Sequence, residues 1–159
     1  MKPTNNALHA NRRRWLKLFD ASSENSLIKH KRLAAPFLSY APNGRATILY
    51  MGKATGGDWF KRNFHGRVGE RIECTERWIT AVKNREYHSA FWHFFRELEK
   101  LQSNVIWTNV CKIGVRYGNP RGEYLRFQRA LAIETLRLEL RLYRPTLVVF
   151  ATGNDFLTI

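Results

Sequence analysis

The segment Thr146–Gly153, TLVVFATG, decides how this chain is assembled. Its β-branched and aromatic residues run together without the polar alternation of a half-solvated strand, so it reads as a strand covered on both faces. Strands of that kind belong to parallel sheets flanked by helices. Upstream of it, Tyr124 to Tyr143 has helical spacing, with Leu125, Ala132, Leu136, Leu140 and Tyr143 on one face, and Arg144-Pro145 stops the helix. Before that helix, NVIWTNV is a β-branched and aromatic run that predicts a second strand. Earlier still, Ile48-Leu49-Tyr50-Met51 follows the turn-forming APNGRA and predicts a first strand. The three strands are thus expected at about 46–51, 104–110 and 146–152.

Helical patterns fill the interval between the first two strands, over 70–82 and 88–101. In the second, Phe91, Phe94, Phe95, Leu98 and Leu101 recur at i, i+3, i+4, i+7 and i+10, which predicts an aromatic core face. Strands separated by helices pair in parallel through right-handed crossovers, so the expected fold is a three-layer α/β sandwich around a central parallel sheet. Residues 1–45 form a separate basic segment, with an amphipathic helix over 7–19 that carries Arg12, Arg13 and Arg14. The α/β domain occupies 46–159.

The chain has 159 residues, enough for one domain with an ordinary core. Its 27 Lys and Arg against 13 Asp and Glu give a net charge of +14, more than solubility requires. Such a balance points to phosphate-rich partners, with nucleic acid ahead of a membrane surface. Cys74 and Cys111 lie far apart, and neither a C-x-x-C pair nor a His-x-His pair is present, so no zinc site and no disulfide framework is expected. No stretch has signal-peptide or membrane-spanning character, and a reducing, intracellular setting close to DNA is expected.

Sites in parallel α/β sheets lie beyond the carboxyl ends of the strands. Three polar loops meet that condition here, GKATGGDW, NVCK and TGNDF, and their side chains Asp58, Asn109, Lys112, Asn154 and Asp155 border one predicted cleft. Glycines directly after a strand let backbone approach a ligand closely. GKATGG is not a nucleotide-binding P-loop, because its lysine comes at the start, and it lacks the G-x-G-x-x-G spacing of a dinucleotide site. Lys53 and Lys112 read most simply as phosphate contacts. Asn109 reads either as a strand-end asparagine capping the next turn or as a ligand contact. His65 in the glycine-rich loop is a candidate acid; His88 and His93 flank the aromatic stripe and read as surface or core groups.

The residues Trp107, Thr108, Asn109, Lys112 and Pro120, followed by Leu138, Glu139, Leu140, Arg144, Pro145 and Gly153, resemble motifs of the uracil-DNA glycosylase superfamily, whose second strand reads like vYiTNvvKcrPp and whose next helix and strand read like ErELelirPkvivalG. Gly52 to Gly56 looks like that family's first motif, and the resemblance spans roughly 46–153. It implies DNA as partner, and a reaction in which a nucleotide is extruded and the N-glycosidic bond of uracil or another damaged base is hydrolysed. By this resemblance Asn109 reads the base edge, Phe64 stacks on the base, and Gly52 and Gly56 supply pocket backbone. The pattern also departs from the family. Lys53 and Ala54 stand where the family has its catalytic polar residue, which leaves Asp58 as the expected water-positioning group, with His65 as the second catalytic candidate. The family's fourth strand and late histidine loop are not represented up to Ile159, which implies a fragment or a shortened version of that fold. The iron–sulfur branch needs four cysteine ligands, and with two cysteines no cluster and no other cofactor is expected. A relative that keeps the basic cleft but has lost the chemistry is the alternative.

Overall fold

A computed structural model describes residues 46–54, 80–115 and 118–153, together with helical positions at 13, 14, 17 and 77. Three strands form the centre: β1 (Ile48–Ala54), β2 (Val105–Cys111) and β3 (Leu147–Phe150). They pair in parallel in the order β2-β1-β3, with Ile48 opposite both Val105 and Leu147. Among the described residues, two helices that the sheet packs against alternate with them, α1 (Ala90–Leu101) after β1 and α2 (Gly122–Tyr143) after β2. The α/β sandwich and its parallel sheet are therefore as the hydrophobic pattern requires.

Strand alternation assigns the two layers. Leu49, Met51, Ile106 and Val110 point to one face, where Ala132 and Tyr143 of α2 cover them. Ile48, Tyr50 and Trp107 point to the other, against Trp92, Phe95 and Leu98 of α1. The step from β1 to β2 and the step from β2 back across β1 to β3 run in opposite directions. Right-handed crossovers of opposite direction put their helices on opposite faces, and that is the arrangement found.

The α1 layer is an aromatic cluster. Trp92 and Trp107 meet edge to face with ring centroids 4.5 Å apart, and Tyr50 lies 4.5 Å from Phe91. Burial of the Tyr50 ring pushes its hydroxyl pKa up to about 12, while the hydroxyl donates to the Phe91 carbonyl at 3.3 Å. The predicted stripe is only partly the buried face. Phe95 and Leu98 are buried, but Phe94 is half exposed and Leu101 is 75% exposed, whereas Trp92 turns inward. Trp92 packs against the Trp107 indole, and the buried arc is turned from the five-residue stripe toward Trp92.

The α2 layer departs further from the apolar pattern. Leu140 is at the surface and Leu125 and Leu136 are partly buried, while the inward line is Tyr124, Gln128, Ala132, Thr135, Glu139 and Tyr143. Three polar members of that line, Gln128, Thr135 and Glu139, are held by hydrogen bonds. Gln128 clasps the backbone of Ile113 just past β2, accepting from its N–H at 3.1 Å and donating to its carbonyl at 3.0 Å. Thr135 donates back to the Leu131 carbonyl at 2.7 Å. Glu139 accepts from Thr108 Oγ1 at 2.6 Å and from Lys112 Nζ at 2.7 Å, and Lys112 also bonds Thr108. The expected phosphate contact at Lys112 is thus corrected: its side chain is 2% exposed and its ammonium points into the core, toward a carboxylate that is fully buried. Burial lowers the Lys112 pKa, and the Glu139 charge pulls it back up.

β3 differs from its predicted environment as well. Among the described strands it lies at the edge of the sheet, and Leu147 and Phe150 are each about half exposed, so its apolar composition does not correspond to cover on both faces. At the amino edge the elements are stitched by backbone: Ala46 N–H donates to Tyr143 O at 3.0 Å, Thr47 N–H to Asn104 O at 3.1 Å, and Thr146 N–H to Thr47 O at 3.0 Å.

The buried ion pair generates a stability prediction. Glu139→Ala strands a buried ammonium and is expected to lower unfolding free energy by about 3–5 kcal/mol in denaturant titration. Replacing the three partners together, with Thr108→Val, Lys112→Met and Glu139→Leu, is expected to recover most of that loss, because no polar group is then left unpaired.

Candidate functional site

The carboxyl edge of the sheet is the place where a ligand would meet this chain. In the order β2-β1-β3 the connections reverse direction at β1, so the crevice rule places a ligand beyond the carboxyl end of this central strand, within reach of its neighbours on both sides. Gly52 of β1 and Asn109 of β2 are register partners at that point. Asn109 is 3% exposed, and its amide Nδ2 has no hydrogen-bond partner. A buried amide donor left unpaired costs roughly 1–3 kcal/mol, so the position carries a penalty that a ligand acceptor would remove.

Gly52 is required by this arrangement. A Cβ there would lie 2.6 Å from Asn109 Oδ1 and 3.0 Å from Cε2 and Cζ of Phe91. The glycine therefore lets the asparagine amide and the phenylalanine ring close over the strand, and Phe91 continues the aromatic cluster through Trp92, with rings perpendicular at 5.0 Å. Asn109 and Gly52, two of the residues expected at the site, are brought together. Phe91, read from the sequence as core, is the aromatic ring placed beside them. The signal for it was weak, because a phenylalanine on a helical stripe has the same spacing whether it fills a core or borders a site.

Lys53 follows at the rim. Its ammonium rests over the backbone of Gly153, which has φ of +64°, so that a Cβ on that glycine would stand 3.5 Å from Nζ. Beside Gly153, Thr152 is 1% exposed and its hydroxyl is unpartnered. Thr152 carries no signal of its own in the sequence, since a threonine ending an apolar strand is ordinary strand composition. Lys112 does not join this group, for its ammonium is engaged by Glu139 and Thr108 on the α2 side. Asp58, His65, Phe64 and Gly56 lie outside the described residues, as do Asn154 and Asp155.

Cys111 is buried, and desolvation raises its thiol pKa to about 12, so it is held neutral and unreactive. Among the described residues there is no cluster of three or more His, Cys, Asp or Glu side chains able to hold a metal, and no described helix is long and apolar enough to cross a membrane. His88 and His93 are exposed on and beside α1. The chain matches no family model, no curated protein and no solved structure.

The close approach at Gly52 yields a direct test. Gly52→Ala is expected to destabilise the fold by about 1–3 kcal/mol, because Asn109 and the Phe91 ring must both shift to admit one methyl group. A thermal melt measures the loss, and the doubly substituted Gly52→Ala, Asn109→Ala chain is expected to regain part of it.

Proposed function

We propose that this chain is a nucleic-acid-binding domain of the uracil-DNA glycosylase type, which takes an extruded uracil or other damaged base against the carboxyl edge of β1 and β2 and hydrolyses its N-glycosidic bond. The observation that carries this reading is the buried, unpartnered amide of Asn109 opposite Gly52. An amide presents a donor and an acceptor side by side, the complement of the polar edge of a pyrimidine. The glycine opposite leaves room for backbone approach, and Phe91 supplies an aromatic edge. Lys53 at the rim is suited to a phosphate of the extruded nucleotide, in keeping with a chain charge of +14. The groups assigned to chemistry are Asp58, to hold the attacking water, and His65, to assist departure of the base.

A second reading has its own supporting observation. The described rim residues Gly52, Lys53, Asn109, Thr152 and Gly153 include no carboxylate, and the buried Glu139 is committed to Lys112. A domain that binds an extruded base without cleaving it fits that composition.

Oligonucleotides with one uracil, single- and double-stranded, followed by alkaline cleavage of abasic sites, separate the two. Slow excision is expected from the parent chain. Asn109→Ala is expected to reduce it by roughly 10- to 100-fold, the equivalent of one lost hydrogen bond to a buried group, while affinity for undamaged DNA stays the same. Binding that prefers uracil with no abasic product supports the binding module. Indifference of the parent to uracil in both assays overturns the base-site assignment.

A further inference from the structure

The outward face of α2 is the most strongly charged surface among the described elements. At 100° per residue, Arg126, Arg129, Arg137 and Arg141 project within one arc opposite the buried line Tyr124, Gln128, Thr135 and Glu139, and Arg144 continues the row at the helix end. All five arginines are exposed. Two glutamates, Glu123 and Glu134, lie on one flank, and the contact of Glu123 with Arg126 is long, at 3.9 Å. The exposed side of α1 offers a contrast. There Lys100 is paired with Glu97 at 2.6 Å, and the half-buried Arg96 donates to the Tyr87 carbonyl at 2.8 Å.

We infer that this arginine row is a second docking surface for a nucleic-acid backbone, separate from the Asn109 edge. The inference goes beyond the proposed base site and does not depend on it. α2 runs back across the sheet, starting beyond the carboxyl end of β2 and finishing where Tyr143 O accepts from Ala46 N–H at the amino edge. Arg137, Arg141 and Arg144 therefore lie toward the edge opposite Asn109, and the row from Arg126 to Arg144 extends about 27 Å at 1.5 Å per residue. Every cation in it is an arginine, whose planar fork pairs bidentately with phosphate oxygens.

An anionic lipid surface presents the same charge, but the helix is poorly made for it. Interfacial helices bury an apolar face in lipid, and the apolar side of α2 is already taken by the sheet. Ile133 and Leu140, the larger apolar residues on the arginine side, are each 36% exposed and offer little to insert. Phosphate contact without insertion is the mode that remains.

The test compares two charge-matched variants of the whole chain. One carries Arg126→Gln, Arg137→Gln and Arg141→Gln; the other carries Lys83→Gln, Arg85→Gln and Lys100→Gln, which removes the same charge from the α1 side. Far-ultraviolet circular dichroism and a thermal melt check that each is folded. Binding to an undamaged DNA duplex is titrated at several salt concentrations. The α2 variant is expected to lose at least tenfold in affinity near 0.1 M salt and to flatten the slope of log affinity against log salt by about 2 to 3, since each phosphate contact on duplex contributes about 0.9. The control is expected to change the slope by less than 1. Equal effects of the two variants, or no duplex binding by the parent, overturn the inference. So does tighter binding of the parent to phosphatidylserine-containing vesicles than to duplex, with loss of vesicle binding alone in the α2 variant. A uracil preference retained in the α2 variant shows the two surfaces to be independent, and an absent preference in the parent bears on the base site and leaves the slope comparison intact.

Discussion

Glu139 is the group on which the rest of the arrangement turns. A carboxylate and an ammonium removed from water lose hydration that their mutual attraction scarcely replaces, so the Lys112–Glu139 pair is a poor source of net stability. Its effect is on geometry. With Thr108 as third partner, the pair holds α2 at one rotation about its axis and one height along β2, and any slip strands a charge. Gln128 repeats the constraint a few turns earlier by clasping the backbone of Ile113. Between these two fixings β2 and the turn after it have little freedom. Asn109 occupies that same stretch, one residue from Thr108 and pointing to the opposite face, so the anchor on the α2 side also determines where the unpartnered amide stands.

Fixing the rotation of α2 also determines its outer surface. A helix that buries Gln128, Thr135 and Glu139 necessarily turns Arg126, Arg137 and Arg141 to solvent. Had the leucines decided the matter, with Leu140 and Leu136 inward, the arginines would be spread around the flanks instead. The inner polar line and the outer basic row are two consequences of one orientation.

The elements of the sheet were legible in the sequence because strand and helix signals are local. Runs such as ILYM, NVIWTNV and TLVVF carry their β character in consecutive residues, and Arg144-Pro145 ends a helix from adjacent positions. The parts that were not legible depend on pairs. Lys112 alone looks like a surface cation; its burial makes sense with Glu139, which lies 27 residues on. Gln128, Thr135 and Glu139 alone look like a solvated face. The edge position of β3 is likewise a matter of partners, since composition does not tell an edge from a centre. At the candidate site, the proximity of Gly52 and Asn109 followed from the rule that loops converge at strand ends, whereas Phe91 and Thr152 could be assigned only once neighbouring strands were in register.

The order β2-β1-β3 has a consequence for how the chain reaches its folded state. β1 is the central strand, yet both of its partners are distant in sequence, and the link between Ile48 and Leu147 closes a loop of about a hundred residues. A nascent chain must therefore carry β1, open along the side that β3 later occupies, until β3 is synthesised. High contact order of this kind slows folding, and exposed strand edges attract other chains in the interval. The early β1–β2 pairing, helped by the Tyr50, Trp92 and Trp107 cluster, is the step able to shield the apolar centre during that wait.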